Sequence, residues 1–458
     1  MSRALAIPDI LCSVFDHIAQ FDCNDRLDVL LTASLVNRDW CRIAQPLLWR
    51  APPELESFEH QERFLSATLS SSQTGRCELL GRCVRSLSLT WNSAQSHRDL
   101  IMQIAKCCPN VANLRLRRDA CEDTTPDVVS YSDMEFLVQL LPTFSSLAHL
   151  SVEHYDDFGL ATSTLALPDV MKFAGDTAAP RLTSLRMTGV PHLEFDIGMF
   201  RTLQTLHVSS WMRVANSRIV SLAAACPELR NLRLQWHILD SDARAFIENC
   251  PLLQSIDIIQ IRESAGPVAD EPGATSWIQV AAQTLPHLRS IRTNADIHSA
   301  DLTALSGTAA PLETLGFNRV EVCNERELVA LVLAHRRTLR SLQLLNWDAL
   351  TVRGLPVGDA FVNTLASCAA LETLEVDFTP PPMPELPTAP LKFVGERQIK
   401  DESILRLLDA CPRLFRTDEL VTLAKMHSQW AEKCQTRVEH LPEWTQELHE
   451  DAYTIMGW

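Results

Sequence analysis

The sequence predicts an α/β fold: a solenoid of short parallel strands and returning helices, preceded by a small all-helical segment. Three observations carry this reading. An apolar pattern at i, i+3 and i+5 recurs eleven times between Val84 and Val376, with copies 21 to 36 residues apart. Helix-like stretches separate the copies, and a proline often stands just before the next one, where it stops the helix. Residues 7–49 instead place apolar side chains at helical spacing.

Ile7, Ile10, Leu11, Val14, Phe15 and Ile18 make one broad helical face, and Pro8 suits the first turn, where its missing N–H costs nothing. Asn24 or Asp25 can cap a second helix that carries Leu27, Leu30, Leu31 and Leu35 on one side. A third helix would hold Val36, Trp40, Ile43, Ala44 and Leu47 and end near Trp49. Segments below roughly 40–60 residues are marginal without a staple or a partner. This one has neither a disulfide pattern nor a metal-ligand spacing, so docking onto another protein is expected.

The stretch resembles an F-box. The resemblance rests on Ile7-Pro8-Asp9-Ile10-Leu11, on Phe15 and Ile18, on Ala33-Ser34-Leu35-Val36-Asn37-Arg38-Asp39-Trp40, and on Ile43-Ala44 with Pro46-Leu47-Leu48-Trp49. Ile7 stands where Leu is usual and Asn37 where Cys is common. The resemblance implies that residues 1–50 bind a Skp-type adaptor, which joins them to a cullin and a RING protein in an SCF-type ubiquitin ligase. Carried over by position, the adaptor contacts would be Pro8, Ile10, Leu11, Phe15, Leu35, Val36 and Trp40.

Pro52-Pro53 breaks the helical pattern. Glu54 to Leu69 then reads as an amphipathic helix within a bridge over residues 51–80. Residues 81–414 carry the copies, for example Val111/Leu114/Leu116, Leu229/Leu232/Leu234 and Leu339/Leu342/Leu344. This is the signature of leucine-rich repeats, in which no unit buries its leucines alone but stacked units share a core. The Asn that usually follows the strand is missing from most copies. The array thus resembles the divergent, cysteine-containing repeats found behind F-boxes. Three inserts are expected as loops, at 119–133, 261–275 and 379–390, and 415–458 is expected to form a helical cap.

Side chains alternate along a strand. With the leucines inward, the central position of each copy faces out: Ser88, Arg115, Ser151, Arg186, His207, Arg233, Asp257, Arg292, Gly316, Gln343 and Glu375. Arg117 lies beside Arg115. An arginine fork binds carboxylate or phosphate through two N–H groups. Arg115, Arg117, Arg186, His207 and Arg233 are therefore the candidate contacts to a target protein, with an acidic or phosphorylated segment as the expected ligand. Trp91, Trp211, Trp236 and Trp347 follow their strands and are candidate rim anchors.

A net charge of −16 disfavours nucleic acid as a partner. No apolar run is long enough to cross a bilayer and the first residues lack a signal-peptide core, so the cytoplasm or nucleus is expected and no membrane partner. Fourteen cysteines match no zinc spacing. His97-Arg98-Asp99-Leu100 copies the start of a kinase catalytic loop, but Ile104 stands where Asn is required and no glycine-rich loop is present. No cofactor, metal or catalytic constellation is expected. The sequence thus points to a non-catalytic substrate receptor of a ubiquitin ligase. The alternative is a leucine-rich-repeat scaffold that uses the helical segment outside a ligase.

Overall fold

The computed structural model describes residues 8–18, 23–74, 80–92, 94–118, 136–137, 139–154, 182–188, 200–209, 216–236, 240–260, 275–320, 324–344, 358–376, 401–411 and 414. The expected cap at 415–458 and almost all of the three expected inserts lie outside these residues. The chain forms two compact units, Met1–Ile238 and Leu239–Trp458.

The first unit opens with helices α1 (Pro8–Ile18), α2 (Cys23–Ser34) and α3 (Arg38–Arg50). Leu11, Phe15, Leu30, Ala33 and Ala44 form their buried cluster, with Ile18, Trp40, Ile43, Leu47 and Leu48 packed around it. Phe15 meets Trp40 edge to face, ring centres 5.5 Å apart. Val36 belongs to the turn before α3 and not to the helix. Asn37 explains the boundary: its side chain accepts from the Trp40 N–H at 2.9 Å and caps α3.

Helices α4 (Phe58–Thr74) and α5 (Leu80–Cys83) lead to strand β1 (Ser86–Trp91) and helix α6 (Gln95–Cys107). Strands β2 (Asn113–Arg118), β3 (His149–His154), β4 (Ser184–Thr188), β5 (Thr205–Ser209) and β6 (Asn231–Trp236) follow, with helix α7 (Asn216–Ala225) before β6. Each strand pairs in parallel with the next one in sequence. The free edge of β1 is covered. Leu55 forms a parallel bridge with Leu89, donating to Ser88 O at 3.1 Å and accepting from Thr90 N at 3.3 Å. Gln61, fully buried, staples this cover: its amide donates to Leu55 O (3.0 Å) and Thr90 O (2.6 Å), and its oxygen lies 3.0 Å from His97 Nε2. An exposed parallel edge would otherwise offer a template for foreign strands.

The second unit repeats the scheme with β7 (Ser255–Gln260), β8 (Ser290–Ile297), β9 (Thr314–Val320), β10 (Ser341–Leu344) and β11 (Thr373–Val376). These too pair in parallel with their neighbours in sequence. Its helices are α8 (Asp240–Asn249), α9 (Trp277–Thr284), α10 (Ser299–Gly307), α11 (Glu325–His335), α12 (Asp359–Leu365) and α13 (Asp401–Ala410). All eleven predicted copies hold a strand. The first apolar residue of every copy, from Val84 to Leu371, sits in the turn before its strand and is at most 2 % exposed.

That turn has a recurring form. The N–H of the aliphatic residue donates to the carbonyl three residues back, as in Val111 to Cys108, Leu229 to Cys226, Leu253 to Cys250 and Leu371 to Cys368. A buried apolar side chain stands there, Phe144, Phe200 and Leu285 in some copies and cysteine in others: Cys108, Cys226, Cys250, Cys368 and Cys411 are all fully buried, and none of them is in a disulfide. Burial pushes the Cys108 and Cys250 thiols up to about 12 and Cys368 to about 11, so they pack as neutral groups. At the entrances of β2 to β6 and of β8 to β11, two successive N–H groups share one carbonyl of the preceding repeat, as Ala112 and Asn113 do on Arg85 O. In the second unit, carboxylates serve the helix starts. Asp301 accepts from His298 N and Gln279 Nε2 and bonds Ser276, and Glu325 accepts from Gly358 N and Phe361 N. Side chains of neighbouring repeats here meet the backbone needs that the absent asparagine serves elsewhere.

Gln61→Ala is expected to destabilise the chain by about 2 kcal/mol, because it removes two buried hydrogen bonds to backbone carbonyls and the contact to His97. Urea unfolding checks this; a change below about 0.5 kcal/mol would show that the edge cover does not depend on the staple.

Candidate protein-binding surfaces

The helical segment divides its predicted contact residues between inside and outside. Leu11 and Phe15 are 3 % and 1 % exposed. They belong to the buried cluster that α1, α2 and α3 share. Trp40 is half-buried against Phe15. Leu35 is 80 % exposed and Val36 41 %. Pro8 and Ile10 lie in α1, and their side chains fall outside the described set. Leu31, one helical turn before Leu35, is also exposed, as are Val14 and Val29. The sequence placed Leu30, Leu31 and Leu35 on one side of a helix. Instead Leu30 is buried, while α2 ends at Ser34 and leaves Leu35 in the turn. Burial against a partner stabilises by about 1.5–3 kcal/mol for each such aliphatic side chain.

The second surface is the outward face of the sheet in the first unit. Parallel register sets Ser88, Arg115, Ser151, Arg186, His207 and Arg233 side by side in one row across β1 to β6. A second row, two residues further along, holds Thr90, Arg117, Glu153, Thr188, Ser209 and Gln235. The two rows contain four arginines and one glutamate. They are a basic surface on an acidic chain.

Glu153 is the centre of its electrostatics, and sequence reasoning missed it. It is 4 % exposed. Arg115 engages it with both arms of its fork, Nε to Oε1 at 3.1 Å and Nη2 to Oε2 at 2.7 Å, and Ser151 Oγ donates at 3.1 Å. Burial acts to raise its carboxyl, but the Arg115 fork, the Ser151 hydroxyl and the charge of Arg186 outweigh it and hold it below the usual carboxylate range. Reading two residues past each central position flagged Arg117; the same step from Ser151 reaches Glu153. Arg117 is engaged as well, by Glu54 at 3.4 Å and Glu56 at 3.7 Å from the edge cover. Arg186 and Arg233 are exposed. With the Gln235 amide turned so that its oxygen faces the guanidinium, it accepts from Arg233 Nε (3.2 Å) and Nη2 (2.8 Å).

His207 lies between these two arginines in the row. Burial first, then the charges of Arg233 and Arg186, push it down to about 4, against the smaller pull of Gln235 and Glu153. It is therefore neutral near pH 7. Trp91, a candidate anchor, is 2 % exposed and packs on Phe136 with ring centres 5.6 Å apart. Trp211 and Trp347 lie outside the described residues.

The second unit shows no such surplus where its charges are placed. Along the strand entrances Arg289, Glu313, Arg340 and Glu372 alternate in sign, with pairs at 2.8, 3.8 and 3.0 Å. Among the described residues no group of His, Cys, Asp and Glu is placed to hold a metal ion, and no helix is long and apolar enough to cross a membrane.

The repeats are of the leucine-rich type. No protein-family model matches the chain, and no curated protein matches it. Among solved structures, it is similar to the crystal structure of the Rad7 and Elc1 complex in yeast, at 13 % identity and TM-score 0.42, covering 89 % of this chain and 85 % of that one. It is also similar to an internalin from Listeria monocytogenes, at 13 % identity and TM-score 0.32, covering 68 % and 88 %. Neither likeness bears on function.

Because the folded pKa of His207 lies below its unfolded value, the unfolded chain binds the extra proton first as pH falls, and His207 costs stability from about pH 6.5 down to about 4. Its NMR titration midpoint is expected near 4, and Arg186→Gln should move it upward. A midpoint at or above 6.5 in the folded chain would contradict this environment.

Proposed function

We propose that this chain is a non-catalytic receptor that joins a target protein to a ubiquitin ligase. The helical segment would dock on a Skp-type adaptor, and through it on a cullin and a RING protein. The repeats would hold the target. The observation that carries this reading is the exposure of Leu31, Leu35 and Val36 at one end of the three-helix cluster, in the segment whose sequence resembles an F-box. Those side chains gain little by remaining in water, and an adaptor surface would bury them. The basic rows of the first unit supply a separate, polar surface for the target. Holding the target near the modifying machinery would act by raising effective concentration and needs no catalytic group on this chain.

Leu35→Ser with Val36→Ser is expected to weaken adaptor capture at least tenfold in co-purification and to leave thermal stability nearly unchanged, since both side chains are outside the core. Leu11→Ala, by contrast, should loosen the segment itself, at about 2–5 kcal/mol. Wild-type chain that captures no Skp-type adaptor would overturn the reading. Capture of the adaptor without a cullin would favour the scaffold alternative, in which the segment serves another assembly.

A further inference from the structure

The first unit carries one more surface, on its helical side. Phe58 meets His97 edge to face, ring centres 5.4 Å apart, so α4 and α6 start side by side. A valley of about 510 Å³ runs between the two helices. Its floor is Leu65 of α4 and Leu100 of α6, both buried. Phe58 and Leu69, by contrast, are 39 % and 45 % exposed. They share one face of α4 and stand about 16 Å apart along its axis. The other lining groups are Glu62, Gln103 and three serines, all exposed.

The valley has a sign. Among the described residues the Glu62 carboxylate has no ion-pair or hydrogen-bond partner. Arg63, the arginine of α4, is paired with Glu59. On α6, Asp99 accepts from the neutral amide of Gln95 at 2.8 Å. Arg98 is buried with its guanidinium over the Phe136 ring, and Lys106 lies in the last turn, away from Phe58. Glu62 and Asp99 therefore leave the Phe58 half of the valley negative.

We propose that this valley seats one amphipathic helix of a partner protein, with aliphatic residues on the face it buries and lysine or arginine beside them. The site is separate from the adaptor and target surfaces and does not rest on the receptor reading. Both walls are helices, whose backbone groups are bonded internally, so they offer no row of N–H and C=O groups to an extended strand. An occupant laid here must satisfy its own backbone, and a helix does. Three turns span the distance from Phe58 to Leu69, with anchors at i, i+4, i+7 and i+11. A small molecule would find no buried polar group to orient it. Charge complementarity to Glu62 and Asp99 selects a basic helix over an acidic one and places its positive residues in the half near Phe58.

The test presents full-length chain, near physiological ionic strength, with three immobilised degenerate libraries of helix-forming peptides about four turns long. The first fixes leucine at i, i+4, i+7 and i+11 with lysine between them. The second carries glutamate in place of lysine. The third keeps the composition of the first but sets the leucines at every second position. The first should be retained at least tenfold better than either of the others. Leu69→Ser should lower that retention at least fivefold, and Glu62→Lys should abolish the preference for lysine over glutamate. Both side chains are exposed, so thermal unfolding of the two variants should match wild type, and lost retention then reports the site. Equal retention of the three libraries, no retention, or retention indifferent to both substitutions would each overturn the proposal. So would displacement of the first library by a saturating Skp-type adaptor, which would make the valley part of the adaptor surface.

Discussion

The structure depends on one recurring constraint: each repeat must bury an aliphatic side chain in the turn before its strand. From Val84 to Leu371 that residue is almost fully removed from water, yet the turn leaves it little chain with which to cover itself. Cover comes from stacking, so a repeat is stable only between neighbours. The constraint acts on the chain before the aliphatic residue. A neutral, apolar group is wanted three positions back, and Cys108, Cys226, Cys250 and Cys368 meet it, as do Phe144, Phe200 and Leu285. It acts equally on the chain after that residue, since a strand that starts from a buried anchor must alternate in and out from there.

The same constraint explains why polar groups are used as they are. Backbone at most strand entrances is satisfied by shared carbonyls of the preceding repeat, and at two helix starts of the second unit by Asp301 and Glu325. These carboxylates stand near helix starts, where N–H groups lack intrahelical partners. Repeats of uneven length can be joined in this way, because side chains reach across where a strict backbone ladder would lose register. The first strand has no preceding repeat. Gln61 and Leu55 take that place from outside the repeat pattern.

Much of this was legible in the sequence, for a definite reason. Period-two alternation and the helix-stopping prolines are local signals, and all eleven strands followed from them. Because parallel pairing preserves register, the row Arg115, Ser151, Arg186, His207, Arg233 could also be written down in advance. What escaped was side-chain choice among neighbours. Nothing local says that Arg115 spends both arms on Glu153, 38 residues away, or that Glu54 and Glu56 reach back to Arg117. The helical segment was hard for another reason. Helical periodicity marks Leu11, Phe15, Leu30, Leu31 and Leu35 alike as apolar, and only the ending of α2 at Ser34 decides that Leu30 goes inside and Leu35 outside.

The even ladder of the first sheet has a metrical consequence. Its rows advance by about 4.8 Å per strand, while an extended polypeptide advances by about 3.3 Å per residue. A segment laid across the strands therefore falls out of step at once and returns to step when three of its residues have crossed two strands. Side chains three apart in such a segment meet positions two strands apart, the separation of Ser151 from His207 and of Arg186 from Arg233. The sheet thus has a pitch of its own, and the charges of a segment laid across it would have to match that spacing as well as the sign.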